Sequence, residues 1–167
     1  EELITNIVRN HYNNTEINLH VYQIGNKYRD ELRAKAGIMR AKEFIMKDAY
    51  SFCVTEQGLI QTYDKVKNAY CRIFDKLGLK YSIFSSDNGE IGGKSSEEFH
   101  CISQYGEDTH NGEKTLEIAH IFHLGQTYSE KMKLYNNRKE FVHMGCFGIG
   151  VSRLIMALLE QHRDTQG

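Results

Sequence analysis

The sequence predicts an α+β fold, an antiparallel β-sheet flanked by helices, on three observations. Segments with strand-like alternation follow one another through short turns, helical segments are grouped rather than interleaved with the strands, and one long helix has its cap and stop written in sequence. Residues 1–12 carry Leu3, Ile4, Ile7 and Val8 at helical spacing. Residues 19–32 (LHVYQIGNKYRDEL) alternate as a strand, 33–39 turn, and RAKEFIMKDAYSF (40–52) returns as the antiparallel partner. Thr55 caps a helix reaching about Leu77, with Leu59, Tyr63, Val66, Tyr70, Phe74 and Leu77 on one face and Gly78 as its stop. KYSIFSS (80–86) and EEFHCIS (97–103) read as strands around the glycine-rich turn DNGEIGGKSS, and DTHNGEKT (108–115) as a polar surface loop. LEIAHIFHLG (116–125) and EFVHMGCF (140–147) add two strands, and GIGVSRLIMALLEQHR closes with a helix bearing Leu154, Ile155, Leu158 and Leu159 on its apolar side.

Composition narrows the function classes. The 167 residues, 40% hydrophobic and 26% charged, suffice for one domain with a sizeable core. A formal charge of -1 provides no broad basic field for nucleic acid or an anionic membrane, so any RNA contact is local. No apolar run approaches the roughly 20 residues of a membrane span, and a soluble, cytoplasmic protein is the expectation. Cys53, Cys71, Cys101 and Cys146 form no C-x-x-C pair, which argues against a zinc knuckle and a disulfide framework. His120 and His123 stand an odd distance apart, which on a strand points them to opposite faces, so no zinc site is expected from them.

Two stretches carry charge where a core strand would not. On a regular strand Arg40, Lys42, Phe44, Met46, Asp48 and Tyr50 share one face, leaving Ala41, Ile45 and Ala49 to pack on the other. That face is read as a binding floor, with Arg29 and Glu31 sharing a face on the preceding strand. MGCFGIGVSRL (144–154) sets Gly145, Gly148 and Gly150 where a strand becomes a helix, with Arg153 in the first turns. Glycines there let a ligand approach, and helix-start amides favour anions. The spacing is neither G-x-G-x-x-G nor G-x-x-x-x-G-K-[ST].

Together these pieces resemble the catalytic domain of class II aminoacyl-tRNA synthetases, and most closely the bacterial-type prolyl-tRNA synthetase family. YRDE (28–31) with GIMRAKEFIMKDAYSF (37–52) is similar to that family's motif 2, and GCFGIGVSRL to its motif 3; DNGEIGGKSSEEF and IFHLGQTYS are similar to stretches between them. The resemblance spans almost the whole chain and implies that 1–167 is a single, partial catalytic domain, with the editing and anticodon-binding domains absent from it. Ala119 departs from the glycine usual at its position.

The resemblance implies an ATP site in which Arg29 holds the α-phosphate, Glu31 meets the adenine amino group, Phe44 stacks beneath the adenine, Arg40 reaches the γ-phosphate and Arg153 covers the other adenine face. Gly148 and Gly150 would line it, and Glu117 would stand near ATP with a magnesium ion bridging it to the phosphates. Arg29 and Arg153 would be the catalytic pair, since guanidinium groups bind phosphate oxygens through paired, charge-assisted hydrogen bonds. Glu1 would receive the amine of proline, with Met46, Asp48 and Tyr50, and also Phe99 and Cys146, walling the amino-acid pocket; Cys146 reads equally as a small buried thiol. The implied activity is that of a proline-tRNA ligase using ATP and Mg2+, with proline and tRNA(Pro) as partners, acting as a homodimer and without a membrane. A threonyl-type enzyme and a noncatalytic synthetase-like accessory protein are the alternatives.

Overall fold

The computed structural model describes residues 1–165, so the last two positions of the expected unit lie outside it. One antiparallel sheet organises the molecule. Its strands are β1 (Leu19–Tyr28), β2 (Glu43–Cys53), β3 (Tyr81–Ser86), β4 (Ser95–Ile102), β5 (Asp108–His110), β6 (Glu113–Gly125) and β7 (His143–Gly150). They are ordered β1-β2-β7-β6-β4-β3, with β5 pairing β6 off this path. Among the described residues four α-helices accompany it, α1 (Glu2–Tyr12), α2 (Glu56–Lys76), α3 (Thr127–Met132) and α4 (Val151–His162). An α+β sheet flanked by helices is therefore what the sequence folds into.

One face of the sheet is sealed. Thr55 Oγ1 accepts the Gly58 amide hydrogen at 3.1 Å, capping α2, and Gly78 takes a φ of +66 just past its end. The apolar side of α2 lays Tyr70 and Phe74 on the sheet, where the Phe74 ring centre lies 5.5 Å from Phe99 and 5.4 Å from Tyr81. Ala157 of α4 joins that cluster with Phe147, Ile149, Ile121 and Ala119. The opposite face is covered only at one end, where α1 and α3 contribute Val8 and Tyr128 to a second cluster with Phe122, Met144 and Cys146.

Several boundaries differ from the sequence reading. β1 ends at Tyr28 rather than continuing to 32, because the chain turns tightly there, with the Glu31 amide donating to the Arg29 carbonyl at 2.8 Å. β2 begins at Glu43, so Arg40 and Lys42 precede the strand instead of sitting on its regular face. Residues 108–115 are no loop but the hairpin of β5 and β6, turned by Asn111 and Gly112 at φ of 53 and 82. Both tip residues adopt the left-handed region that an Asn-Gly turn requires. β7 runs three residues past the expected 147 to Gly150, so Gly145 and Gly148 lie within a strand and only Gly150 caps the helix. The helix α3 follows β6 without having been anticipated.

Candidate active site

On the uncovered face, cross-strand registers align side chains in rows. Asp48 pairs with Gly148, Gly148 with His120, and His120 with Glu98; Tyr50 pairs with Cys146, and Cys146 with Phe122. Cross-strand partners share a face, so both rows look the same way. The glycines matter here: a Cβ on Gly148 would meet nothing nearer than the His120 carbonyl at 3.9 Å, so the residue leaves open space instead of a side chain. The result is a cavity of about 640 Å³, a volume in the range of small-ligand pockets.

The loop between β1 and β2 forms the rim. Its base closes through the Arg29 amide on the Lys42 carbonyl at 2.9 Å, and its middle through the Lys35 amide on the Arg40 carbonyl at 3.0 Å. Met39, 2% exposed, anchors the loop in the core, and Arg153 Nε of α4 donates to the Met39 carbonyl at 3.0 Å. Arg29, Arg40 and Arg153 thereby line one cavity with Phe44 and Glu31. Arg29 lies over the Phe44 ring, 5.1 Å from its centroid. Arg40 Nε lies 2.8 Å from Glu31 Oε2, and its Nη1 also meets Glu107. That second acid is paired with Lys35 at 2.7 Å. The Arg33 amide and Arg40 together hold the Glu31 carboxyl below its ordinary range.

At the back wall, Glu117 and His120 meet on the cavity face although three residues separate them. The reason is a β-bulge: Ala119 pairs with Phe99 but Glu117 pairs with His100, leaving Ile118 as the extra residue. Glu117 Oε2 accepts from Arg153 Nη1 at 3.2 Å and Glu117 Oε1 lies 3.4 Å from His120 Nδ1. Burial works against the Glu117 charge, but His120 and Arg153 outweigh it and keep the carboxyl below its ordinary range. Glu98 is held low as well. Hydrogen bonding from His100, 2.8 Å away, and from Ser86 lowers it to about 2. Ligand atoms of Glu98, Glu117 and His120 all lie within 4.8 Å of one another, a donor set that fits a cation. His123 stands on the other face, beside Tyr63 of α2.

At the far end Glu1 Oε1 accepts the Cys146 thiol at 3.2 Å, near Tyr50. Burial, then the Glu1 charge, pushes the Cys146 thiol well above its ordinary value, so it is neutral. Burial likewise raises Tyr50. Asp48 Oδ2 lies 2.6 Å from Lys27 Nζ.

Most expected site residues therefore come together: Glu1, Met46, Asp48, Tyr50 and Cys146 at one end, and the arginines, Glu31, Phe44, Glu117, Gly148 and Gly150 toward the other. Phe99 does not. It is fully buried under α2 among Tyr70, Phe74 and Tyr81, because its neighbour Glu98 takes the cavity face of β4. Lys42 also stands apart, paired with Asp30 in an exposed contact at 3.3 Å. Lys27, Glu98, Glu107 and His120 were not anticipated. Lys27 and Glu98 had a signal, since Lys27 shares strand parity with Arg29 and Glu98 alternates with the apolar Phe99 and Cys101.

The family model described as the tRNA synthetase class II core domain (G, H, P, S and T) matches residues 1–162. The chain is 37% identical over 214 residues to the proline-tRNA ligase of Ehrlichia chaffeensis, covering 100% of this chain and 50% of that protein. It is 36% identical over 188 residues to the probable mitochondrial proline-tRNA ligase of Schizosaccharomyces pombe, covering 91% and 44% respectively. The chain thus spans about half the length of the curated relatives it matches. Among solved structures, the prolyl-tRNA synthetase of Cryptosporidium parvum complexed with L-proline and AMP superposes with a TM-score of 0.84 at 18% identity, over 98% of this chain and 35% of that one. At that identity the likeness is one of fold.

Proposed function

This chain belongs to the class II tRNA synthetase core domain family, and from that premise we propose that it is the amino-acid-activating core of a proline-tRNA ligase. The observation that carries the reading is the convergence of Arg29, Arg40 and Arg153 on one cavity floored by Phe44. The names of the relatives favour proline over threonine as the amino acid.

The cavity divides the work by position. Phe44 and Arg29 offer a π-face and a cation to a purine and its α-phosphate, Arg40 a second cation at the rim, and Arg153 a third from the first turn of α4. Six strand steps away, about 20 Å along β2, Tyr50 and Cys146 provide a compact, neutral wall with Glu1 to receive an amine. Proline's carboxylate attacks the α-phosphorus of ATP, giving prolyl-adenylate and pyrophosphate, and the prolyl group then passes to the terminal ribose of tRNA(Pro). No enzyme nucleophile takes part; alignment and arginine charge lower the barrier. A magnesium ion would be held by Glu117 with Glu98 and His120, where it would neutralise phosphate charge. In the cell this activity belongs to a cytoplasmic homodimer of the intact protein.

The test is amino-acid-dependent exchange of pyrophosphate into ATP, measured on the intact protein with all twenty amino acids. Proline alone should support fast exchange. A response to threonine, or to none, overturns the reading.

A further inference from the structure

Lys27 enters the cavity from β1, and nothing in the reaction outlined above uses it. Its Nζ lies 2.6 Å from Asp48 Oδ2, and the two side chains are only 24% and 17% exposed. Lys27 pairs opposite Phe44, whereas Asp48 stands four residues further along β2 and pairs with Gln23. The lysine therefore leans along the sheet, past the Gly25–Met46 pair, where a Cβ on Gly25 would meet nothing within 4 Å. Its ammonium ends between Phe44, the nucleotide end, and Tyr50, the amino-acid end.

The charges of the amino-acid end assign the partners. An amino acid brings one ammonium and one carboxylate separated by a single carbon, so a positive and a negative group must wait close together. Two carboxylates stand there. Among the described residues the Glu1 carboxylate accepts only the Cys146 thiol hydrogen, a weak donor, and is free to exchange it for an ammonium. Asp48 already faces a full cation. The arrangement leaves Glu1 to read the amine and Lys27 to read the carboxylate.

We propose that Lys27 is a catalytic residue that binds the substrate carboxylate and the α-phosphoryl oxygens it attacks, and that Asp48 positions Lys27 instead of receiving the amine. The inference rests on the amino-acid activation proposed above. In that step a carboxylate oxygen forms a bond to the α-phosphorus as the bond from phosphorus to the β-bridging oxygen breaks. The electron pair leaves with pyrophosphate, and no proton or oxidant is consumed. Negative charge grows on the α-phosphoryl oxygens beside the ammonium, which is where a fixed cation lowers the barrier most.

Proline-dependent pyrophosphate exchange is to be measured on the intact protein and on Lys27→Met, Lys27→Arg, Asp48→Asn and the Lys27→Met/Asp48→Asn double variant, with melting temperatures alongside. Lys27→Met should lose about 100-fold in kcat while the KM for ATP changes little, the pattern of an interaction made in the transition state. Lys27→Arg should recover part of the rate and Asp48→Asn should lose about tenfold, as expected for a displaced but surviving cation. The double variant should be no better than Lys27→Met. Recovery toward the parent rate in the double variant would show that Lys27 merely neutralises Asp48, and near-parent kcat in Lys27→Met would dismiss its role altogether. If Lys27→Met melts early, a kcat for folded Asp48→Asn equal to the parent overturns the proposal. Exchange by the unaltered protein separates the two ideas: if it fails, the activation reading falls, whereas if it succeeds and the variants match it, only the Lys27 assignment falls.

Discussion

The Arg29 guanidinium lies 5.1 Å from the centre of the Phe44 ring, joining the end of β1 to the start of β2 across the cavity. A stacked cation and an aromatic floor have separable losses. Arg29→Ala should lower proline-dependent exchange by roughly 100-fold or more, as for removal of a charge-stabilising group. Phe44→Ala should chiefly raise the KM for ATP, by about 5- to 150-fold, since a base stacked on an aromatic ring gains roughly 1–3 kcal/mol. Equal, small effects in both variants would contradict the nucleotide assignment.

Two glycines of β7 should answer differently to enlargement. A Cβ on Gly145 would lie 2.6 Å from Phe147 Cζ and 2.9 Å from Ser51 Oγ, so Gly145→Ala forces the packed face apart and should lower the melting temperature. Gly148→Val points into open space. It should melt near the parent temperature yet bind ATP more weakly, which isothermal titration would register.

Phe99→Ala distinguishes a core ring from a pocket wall. Removing a fully buried phenylalanine packed edge-on and tilted among Phe74, Tyr70 and Tyr81 should cost about 3–5 kcal/mol in urea unfolding. Amino-acid selectivity of the folded fraction should be unchanged.

Lys47 sits on the sealed face, its Nζ 2.7 Å from the Tyr70 hydroxyl, and burial lowers it from 10.5 to about 8. The unfolded chain therefore binds more protons than the folded one between those values, so stability rises as pH increases from about 8 to 10.5 and the burden of burying the charge is felt fully below 8. Lys47→Met should flatten this part of the stability profile, measured by denaturant midpoints at pH 7, 9 and 10.

How much of this was legible follows from strand regularity. Phe44, Met46, Asp48 and Tyr50 reach the cavity because β2 alternates without interruption, so parity put them on one face and the family resemblance gave that face its role. The same parity would have preferred Glu98 to Phe99, given the apolar Phe99 and Cys101 on alternate positions. The hairpin of β5 and β6 announced itself in Asn111-Gly112. Glu117 and His120 were different: a spacing of three forbids a shared face on a regular strand, and only the bulge at Ile118, a property of pairing with β4, reverses that rule. Glu107 escaped for a related reason, since its ion pair with Arg40 joins residues far apart in the chain.

Three of the four lysine and arginine side chains lining the cavity are already matched with acids: Arg40 with Glu31 and Glu107, Arg153 with Glu117, and Lys27 with Asp48. A phosphate chain drawn to Arg40 or Arg153 competes with the carboxylates already paired there, and a carboxylate released from either is left to a positive guest. Uptake of a phosphate chain and uptake of an ammonium or divalent ion are thereby coupled, each strengthening the other by the same factor. The ion pairs of Arg40 and Arg153 in this sense resist either guest alone and yield more readily to the two together.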